Sequence, residues 1–316
     1  MRTWLNLLRR EWWEHKSGFL WTPVATAALV ILASALALSL VSGTDTHLSY
    51  STQQQSGADS ASDAFEWRGS LLQILDFSSW SAAVLSERAA QFRSLIAQPF
   101  VLGHFLVAVF VLLGGLHDDR RDRSVLFWKS MPVSDLETVA SKLVFAVWVA
   151  PLVAIAAILT AQAGSLLLLS LLGPAAGVTG VELAWQHAGL LNGAALLLSG
   201  YLVQGLWALP VYAWLLLVSA AVPRVPFVWA LLLPAAGVVL EGLFFRTSVL
   251  SSQISAHLSF RALPRPEDVD NGAVRPAVGF AEQLALLGSG DLWLGVAVAA
   301  GLLSAAVYFR GRNNDL

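Results

Sequence analysis

The chain contains no cysteine among its 316 residues, which excludes a disulfide framework and any thiolate metal site. Charge is scarce as well: Asp, Glu, Lys and Arg together make 13% of the residues, about half the ~25% usual for soluble domains. Lysine occurs only as Lys16, Lys129 and Lys142, preceded by His15, Trp128 and Ser141. A loop that cradles nucleotide phosphates requires Gly-Lys-Ser/Thr, so no ATPase motif is expected in this chain. The six His residues are scattered, and neither HExxH nor GxSxG occurs, which removes the familiar zinc-hydrolase and serine-hydrolase patterns.

Apolar residues make up 56% of the chain, with 13 Trp, and they fall in long uncharged runs. Phe19 to Val41 is one such run, 23 residues long, enough for the ~20 that a bilayer core requires. Because it is too long for a signal-peptide core and has no clean cleavage site, a retained anchor is expected. Further spans are read at 99–116, 143–173, 185–222, 227–245 and 292–309. None carries the polar stripe of a soluble amphipathic helix. The predicted fold is all-α, a single polytopic membrane domain of six spans over 1–316, with an N-terminal interfacial helix and a coupling helix. The 185–222 run is long enough for two short spans turning near Gly200 to Gly205, which would make seven.

Lys and Arg near span ends set the expected orientation. With the N-terminus cytoplasmic, 12 of the 19 cations fall in short inner segments, among them Arg2, Arg9, Arg10, Arg224, Arg310 and Arg312. The remaining seven spread over outer loops at 42–98 and 246–291, where acids outnumber them. Arg224, Arg310 and Arg312, close to span ends, favour six spans over seven. Both termini are then cytoplasmic. Abundant Ala, Leu and Arg with little Lys is what GC-rich bacterial coding gives, so a bacterial inner membrane is expected. The outer loops read as a polar linker over 42–64, amphipathic helices within 65–96, a similar patch at Val249 to Leu258, and a Pro-rich connector.

The charge concentrates in "HDDRRDRSVLFWKSMPVSDLE", His117 to Glu137, within an inner loop spanning 117–142. Five Lys or Arg lie between Arg120 and Lys142. Ser134 followed by Glu137 is a capping box that predicts a helix starting at Asp135, about two turns before the membrane. Upstream, charges mixed with Phe127 and Trp128 predict a short interfacial helix ended by Pro132. A plain positive-inside anchor accounts for the same residues.

"DDRRDRSVLFWKSMPVSDLETVASKL", between the second and third spans, resembles the cytoplasmic loop of type-2 ABC transporter permeases. The layout is similar too: "MRTWLNLLRREWWEHK" before the first span, a large first outer loop, six spans, and "ALPVYAWLLLVSA" in the fourth. The resemblance implies the membrane subunit of a bacterial exporter, not itself an enzyme, with no cofactor in this chain and ATP and Mg on separate ATP-binding subunits. It implies docking of those subunits on Asp119, Arg120, Arg121, Asp122, Arg123, Ser124, Phe127, Trp128 and Lys129. It also implies that the N-terminal helix is an interfacial elbow. Six spans leave a path between two copies, so a homodimer or a heterodimer with a second permease is expected, in contact with lipid and with no nucleic acid.

Two other readings compete. Asp118, Asp119 and Asp122 form DDxxD, the spacing by which membrane prenyltransferases hold diphosphate through Mg²⁺. The interleaved arginines already offer these aspartates partners, and the other acidic cluster, Glu267, Asp268 and Asp270, lies on the opposite side. An ion-coupled carrier or channel requires ionisable groups inside spans, and Glu241 is the carboxylate placed to line a path. Gln162, Gln204 and Asn192 are uncharged candidates for interhelical hydrogen bonds. The apolar spans lean toward a hydrophobic or amphipathic cargo.

Overall fold

Runs of good helix formers with few breakers give a backbone little reason to stop, and several helices here continue well past the apolar stretch that defines them. The computed structural model describes residues 2–41, 47–51, 64–68, 76–122, 133–263, 269–270, 273–274 and 278–312. In order, α1 is Arg2–Lys16, α2 Thr22–Val41, α3 Ala82–Arg121, α4 Asp135–Val144, α5 Ala150–Leu172 and α6 Val181–His187. Then follow α7 Leu190–Trp207, α8 Leu209–Ala221, α9 Pro226–Leu240, α10 Val249–Leu258, α11 Phe280–Leu287 and α12 Gly290–Arg312. Two small antiparallel ladders sit in the loops: β1 (His47–Ser51) with β2 (Ala64–Arg68), and β3 (Val269–Asp270) with β4 (Ala273–Val274). Among the described residues, six helices are long and apolar enough to cross a membrane, so the chain is a multi-pass, all-α membrane protein.

The first three crossings are the unbroken helices Trp4–Leu40, Ala82–Arg121 and Asp135–Leu172, of 37, 40 and 38 residues. At 1.5 Å per residue each is about 55–60 Å long, nearly twice a ~30 Å bilayer core. Five-residue π turns at Ser17–Trp21 and Phe145–Val149 join α1 to α2 and α4 to α5, just ahead of Pro23 and Pro151. Proline lacks an N–H and crowds the carbonyl four residues back, and a widened turn lets the helix continue past it. The N-terminal helix therefore continues without a break into the first crossing. The 99–116 span is the interior of α3, which starts at the Ser81 cap and passes through Pro99. From Ala82 on, the amphipathic segment expected against the outer leaflet or the top of the bundle is the beginning of that same helix. Ser134 and Glu137 form the expected capping box: the Ser134 amide donates to the Glu137 carboxylate at 2.9 Å and the Glu137 amide to Ser134 Oγ at 3.2 Å.

The 185–222 run begins in the last residues of α6 and then forms α7 and α8, bent at Ala208, two residues before Pro210. Arg93, early in α3, donates to the Ala188 carbonyl, while Arg120, at its end, donates to those of Ser219 and Val222. Arg93 and Arg120 lie 27 positions apart on α3, about 40 Å, so 188–222 covers that distance as one bent crossing, with α8 packed on α3 and α7 on α5. Gly200 and Gly205 make no turn. They permit close approach instead: a Cβ would lie 2.7 Å from the Ala262 carbonyl oxygen and 2.6 Å from Val147 Cγ1, respectively.

Two cores result. Around α3, α4, α8 and α12, near the Arg120 end, Leu112, Leu116, Val139, Leu216, Ala299 and Ala306 are buried. Toward the Arg93 end, Phe100, Ile158, Ala161, Leu197 and Tyr201 join α2, α3, α5 and α7. Small residues at these contacts let the helices approach where no hydrophobic force drives them together. The Pro226–Phe245 crossing is peripheral; only Ala230 is buried, its carbonyl accepting from Trp214 Nε1 at 3.1 Å.

The loop after α10 returns into the bundle, with Ala262 and Leu263 buried. Gln204 Nε2 donates to the Ser259 carbonyl at 3.1 Å, and its Oε1 accepts from the Ala262 amide at 3.2 Å. At the bend the Val211 amide pairs with Ala208, leaving the Trp207 carbonyl to a ring nitrogen of His257 at 2.7 Å. The indole Nε1 of Trp207 donates back to Ala256 at 2.7 Å.

Candidate functional site

The charged loop leaves α3 at Arg121 and re-enters the bundle at α4. Beside these helix ends lies an ion-pair network that draws on α1, α3, α4 and α12. Lys142 Nζ stands 3.2 Å from Glu11 Oε1 and 3.6 Å from Asp119 Oδ2. Asp119 also meets Arg10 Nη2 at 3.0 Å and Arg310 Nη1 at 3.6 Å, and Arg310 Nε reaches Asp135 Oδ1 at 2.9 Å. Arg10 Nε holds Glu14 at 2.8 Å. The Glu11, Lys142 and Asp119 side chains are 1%, 2% and 7% exposed. Desolvated charges are tolerated only in such company, and removing one partner strands the others. Gly115 gives the Lys142 stem its room, since a Cβ there would sit 3.1 Å from Lys142 Cδ.

Asp119 and Arg120, expected on a contact surface, turn inward. Asp119 lies in the network, and Arg120 caps α8, where its Nη2 donates to the Val222 carbonyl at 3.0 Å and to that of Ser219. A cation at a helix C-terminus satisfies its free carbonyls and complements its dipole. Ser219 Oγ adds a tie to α3, donating to Leu113 at 2.7 Å and accepting from the Leu116 and His117 amides at 3.0 Å. Arg121 and Asp122 point outward. Arg123, Ser124, Phe127, Trp128 and Lys129 lie outside the described residues, as does the interfacial helix expected around them.

The DDxxD carboxylates do not converge. Asp118 is 61% exposed while Asp119 is enclosed by three cations. Among the described residues, Glu11, Glu14 and His15 place ligand atoms within 4.8 Å of one another. The Lys142 ammonium, 3.2 Å from Glu11 Oε1, already balances the charge of that carboxylate.

Glu241 opens the π turn Glu241–Phe245 that ends the fifth crossing. Its Oε1 accepts from Thr247 Oγ1 and the Val249 amide at 2.8 Å, and its Oε2 from the Leu250 amide at 2.9 Å. These amides are the free donors at the start of α10, where a carboxylate is favoured. Of the uncharged candidates, Gln204 binds the returning loop, Gln162 Nε2 donates to the Arg93 carbonyl at 3.1 Å, and Asn192 is exposed.

The network itself was not anticipated from the sequence. Its signal is a carboxylate in a basic segment, Glu11, and cations at span ends, Lys142 and Arg310, which look like ordinary anchors one at a time. Comparison with known protein-family models, curated sequences and solved structures finds no match to this chain.

Proposed function

We propose that the chain is the permease subunit of a type-2 ABC exporter in a bacterial inner membrane, driven by separate ATP-binding subunits. The observation that carries this reading is where the charged string attaches. Residues 123–132 are bounded by α3 and α4, and those two helix ends share buried ion pairs with α1 and α12. A load applied to the loop would reach four helices as one rigid unit, the kind of linkage that converts closure of an ATPase into movement of spans. Arg10, Arg120, Lys142 and Arg310 gather at one end, which the positive-inside rule assigns to the cytoplasm, and with it both termini. Phe127 and Trp128 would supply the apolar anchor of the docking surface and Arg121, Asp122, Arg123 and Lys129 its charged rim, around Ser124. Two copies, or this chain and a second permease, would enclose the path, and the apolar spans favour a hydrophobic or amphipathic cargo.

The ion-coupled alternative draws on Glu241, whose carboxylate is engaged at the start of α10. The test is purification of the tagged chain from its native membrane in mild detergent. The reading expects a stoichiometric ATP-hydrolysing subunit in the preparation; a preparation that hydrolyses no ATP and yields this chain alone contradicts it.

A further inference from the structure

A cavity of about 430 Å³ opens at the Arg93 end of the bundle, among α2, α3, α5, α6 and the turn Phe77–Ser79. Its size falls within the ~300–1,000 Å³ of small-molecule sites. The walls are apolar, with Leu38, Trp80, Leu85, Phe92, Leu166 and Leu169 facing the space. Against them stand a few polar groups. Arg88 and Arg93 line the cavity, and neither is ion-paired among the described residues: Arg88 donates to Gln91 and Arg93 to the Ala188 carbonyl. Gln162 also lines it, is 1% exposed and is held through Nε2, yet its Oε1 accepts no hydrogen bond among the described residues. Ser34 and Ser165 pair their hydroxyls at 3.0 Å alongside.

Each part selects a property of the occupant. Apolar walls of this extent favour a hydrocarbon chain over a polar solute. Two guanidinium groups without carboxylate partners among the described residues favour an anion, for which arginine offers fixed, paired donors. A buried amide oxygen without a donor favours a hydroxyl within its reach. We infer that this cavity binds a single-chain amphiphile with an anionic head, carboxylate or phosphate. The head pairs with Arg93 and Arg88, and the chain lies along Leu38, Leu85, Phe92 and Leu166. A lysophospholipid carries the free hydroxyl that suits Gln162 Oε1, whereas a fatty acid shares only the chain and the anion. The inference is independent of any ATPase partner.

The test uses the full chain in phosphatidylcholine nanodiscs and reads fluorescence quenching of Trp80, taken as the difference between the wild type and Trp80→Phe. The probes are dibromostearate, a lysophosphatidylglycerol with the same brominated chain, and the matching neutral monoacylglycerol. Saturable quenching by the two anionic probes is expected, with the neutral one at least tenfold weaker. Arg88→Gln or Arg93→Gln should weaken the anionic probes severalfold or more, and Ala184→Phe, which fills the space from α6, should abolish their quenching. Gln162→Leu weakening the lysolipid alone identifies a lysolipid as occupant; stearate binding more tightly than the lysolipid identifies a fatty acid. Because Arg93 also holds α7 in place, the exposed Arg88 and the Ala184 variant decide if Arg93→Gln does not fold. Quenching that is the same in Trp80→Phe, or that survives both Ala184→Phe and Arg88→Gln, overturns the inference.

Discussion

Lys142 Nζ lies 3.2 Å from Glu11 Oε1, across 131 residues of sequence and with both side chains withdrawn from solvent. The contact fastens the N-terminal helix to the start of the third crossing, and Asp119 and Arg310 extend it to the second and sixth. Four helix ends are thereby held in one arrangement next to the segment that the proposed function assigns to an ATPase.

Removing Lys142 should be costly and removing the whole pair should not. Lys142→Met leaves Glu11 buried without its cation, a loss of about 3–5 kcal/mol. Adding Glu11→Leu should recover most of it, because a well-packed apolar pair can match or exceed a buried ion pair. Thermal unfolding of both variants in detergent measures the difference. Equal destabilisation by the single and double variants would show that the network contributes through something other than charge pairing.

Arg120 and Arg121 are adjacent and should behave differently. Arg120→Gln removes the cap on α8 and should lower stability by about 1.5–3 kcal/mol, the range for hydrogen bonds to charged groups. Arg121→Glu, on the outward face, should leave the melting temperature unchanged and weaken association with an ATP-binding subunit in a salt-dependent way. Melting curves and binding at two ionic strengths separate the roles.

Glu241→Gln should loosen the start of α10 while leaving transport-linked activity in place. One amide oxygen replaces two carboxylate oxygens that face the Thr247 hydroxyl and the Val249 and Leu250 amides. Hydrogen exchange at Val249 and Leu250 should accelerate. Unchanged exchange together with lost transport would return Glu241 to the path.

At the turn preceding α3, hydrogen bonds from Ser78 and Thr179 hold the Asp76 carboxyl below its usual range. A depressed folded pKa means the contribution is complete above the unfolded value, ~3.9, and is lost as pH falls through the lower, folded value. Exchange at the Ser78 amide should therefore rise only under acid conditions, below about pH 4. Asp76→Asn should remove that pH dependence.

What the sequence makes legible is local. The Ser134–Glu137 box sits within four residues, and the structure has its helix starting at Asp135. Uncharged runs identify the crossings by composition. Their ends are less legible, because Glu87, Arg88 and Arg93 precede Pro99 and make a continuous helix look like a surface segment followed by a span. The bend at Ala208 is written in Pro210, but whether 185–222 crosses once depends on where Arg93 and Arg120 reach. The network is the least legible part, since Arg310 and Asp135 are 175 residues apart and each looks like a separate surface charge. Gln204 is recognisable as a hydrogen-bonding residue in a span; its partner is the returning loop at Ser259 and Ala262.

The central claim is that the segment joining α3 to α4 docks an ATP-binding subunit, and co-purification of that subunit with the tagged chain carrying Phe127→Ala and Trp128→Ala tests it most directly. Losing an apolar anchor of this kind costs about 2–4 kcal/mol of association, roughly 30- to 1,000-fold in affinity. The account predicts that the partner is lost while membrane insertion, set by spans and flanking charges that the variant leaves untouched, is unchanged. Full retention of the partner by the double variant would contradict it and leave the loop as a membrane anchor.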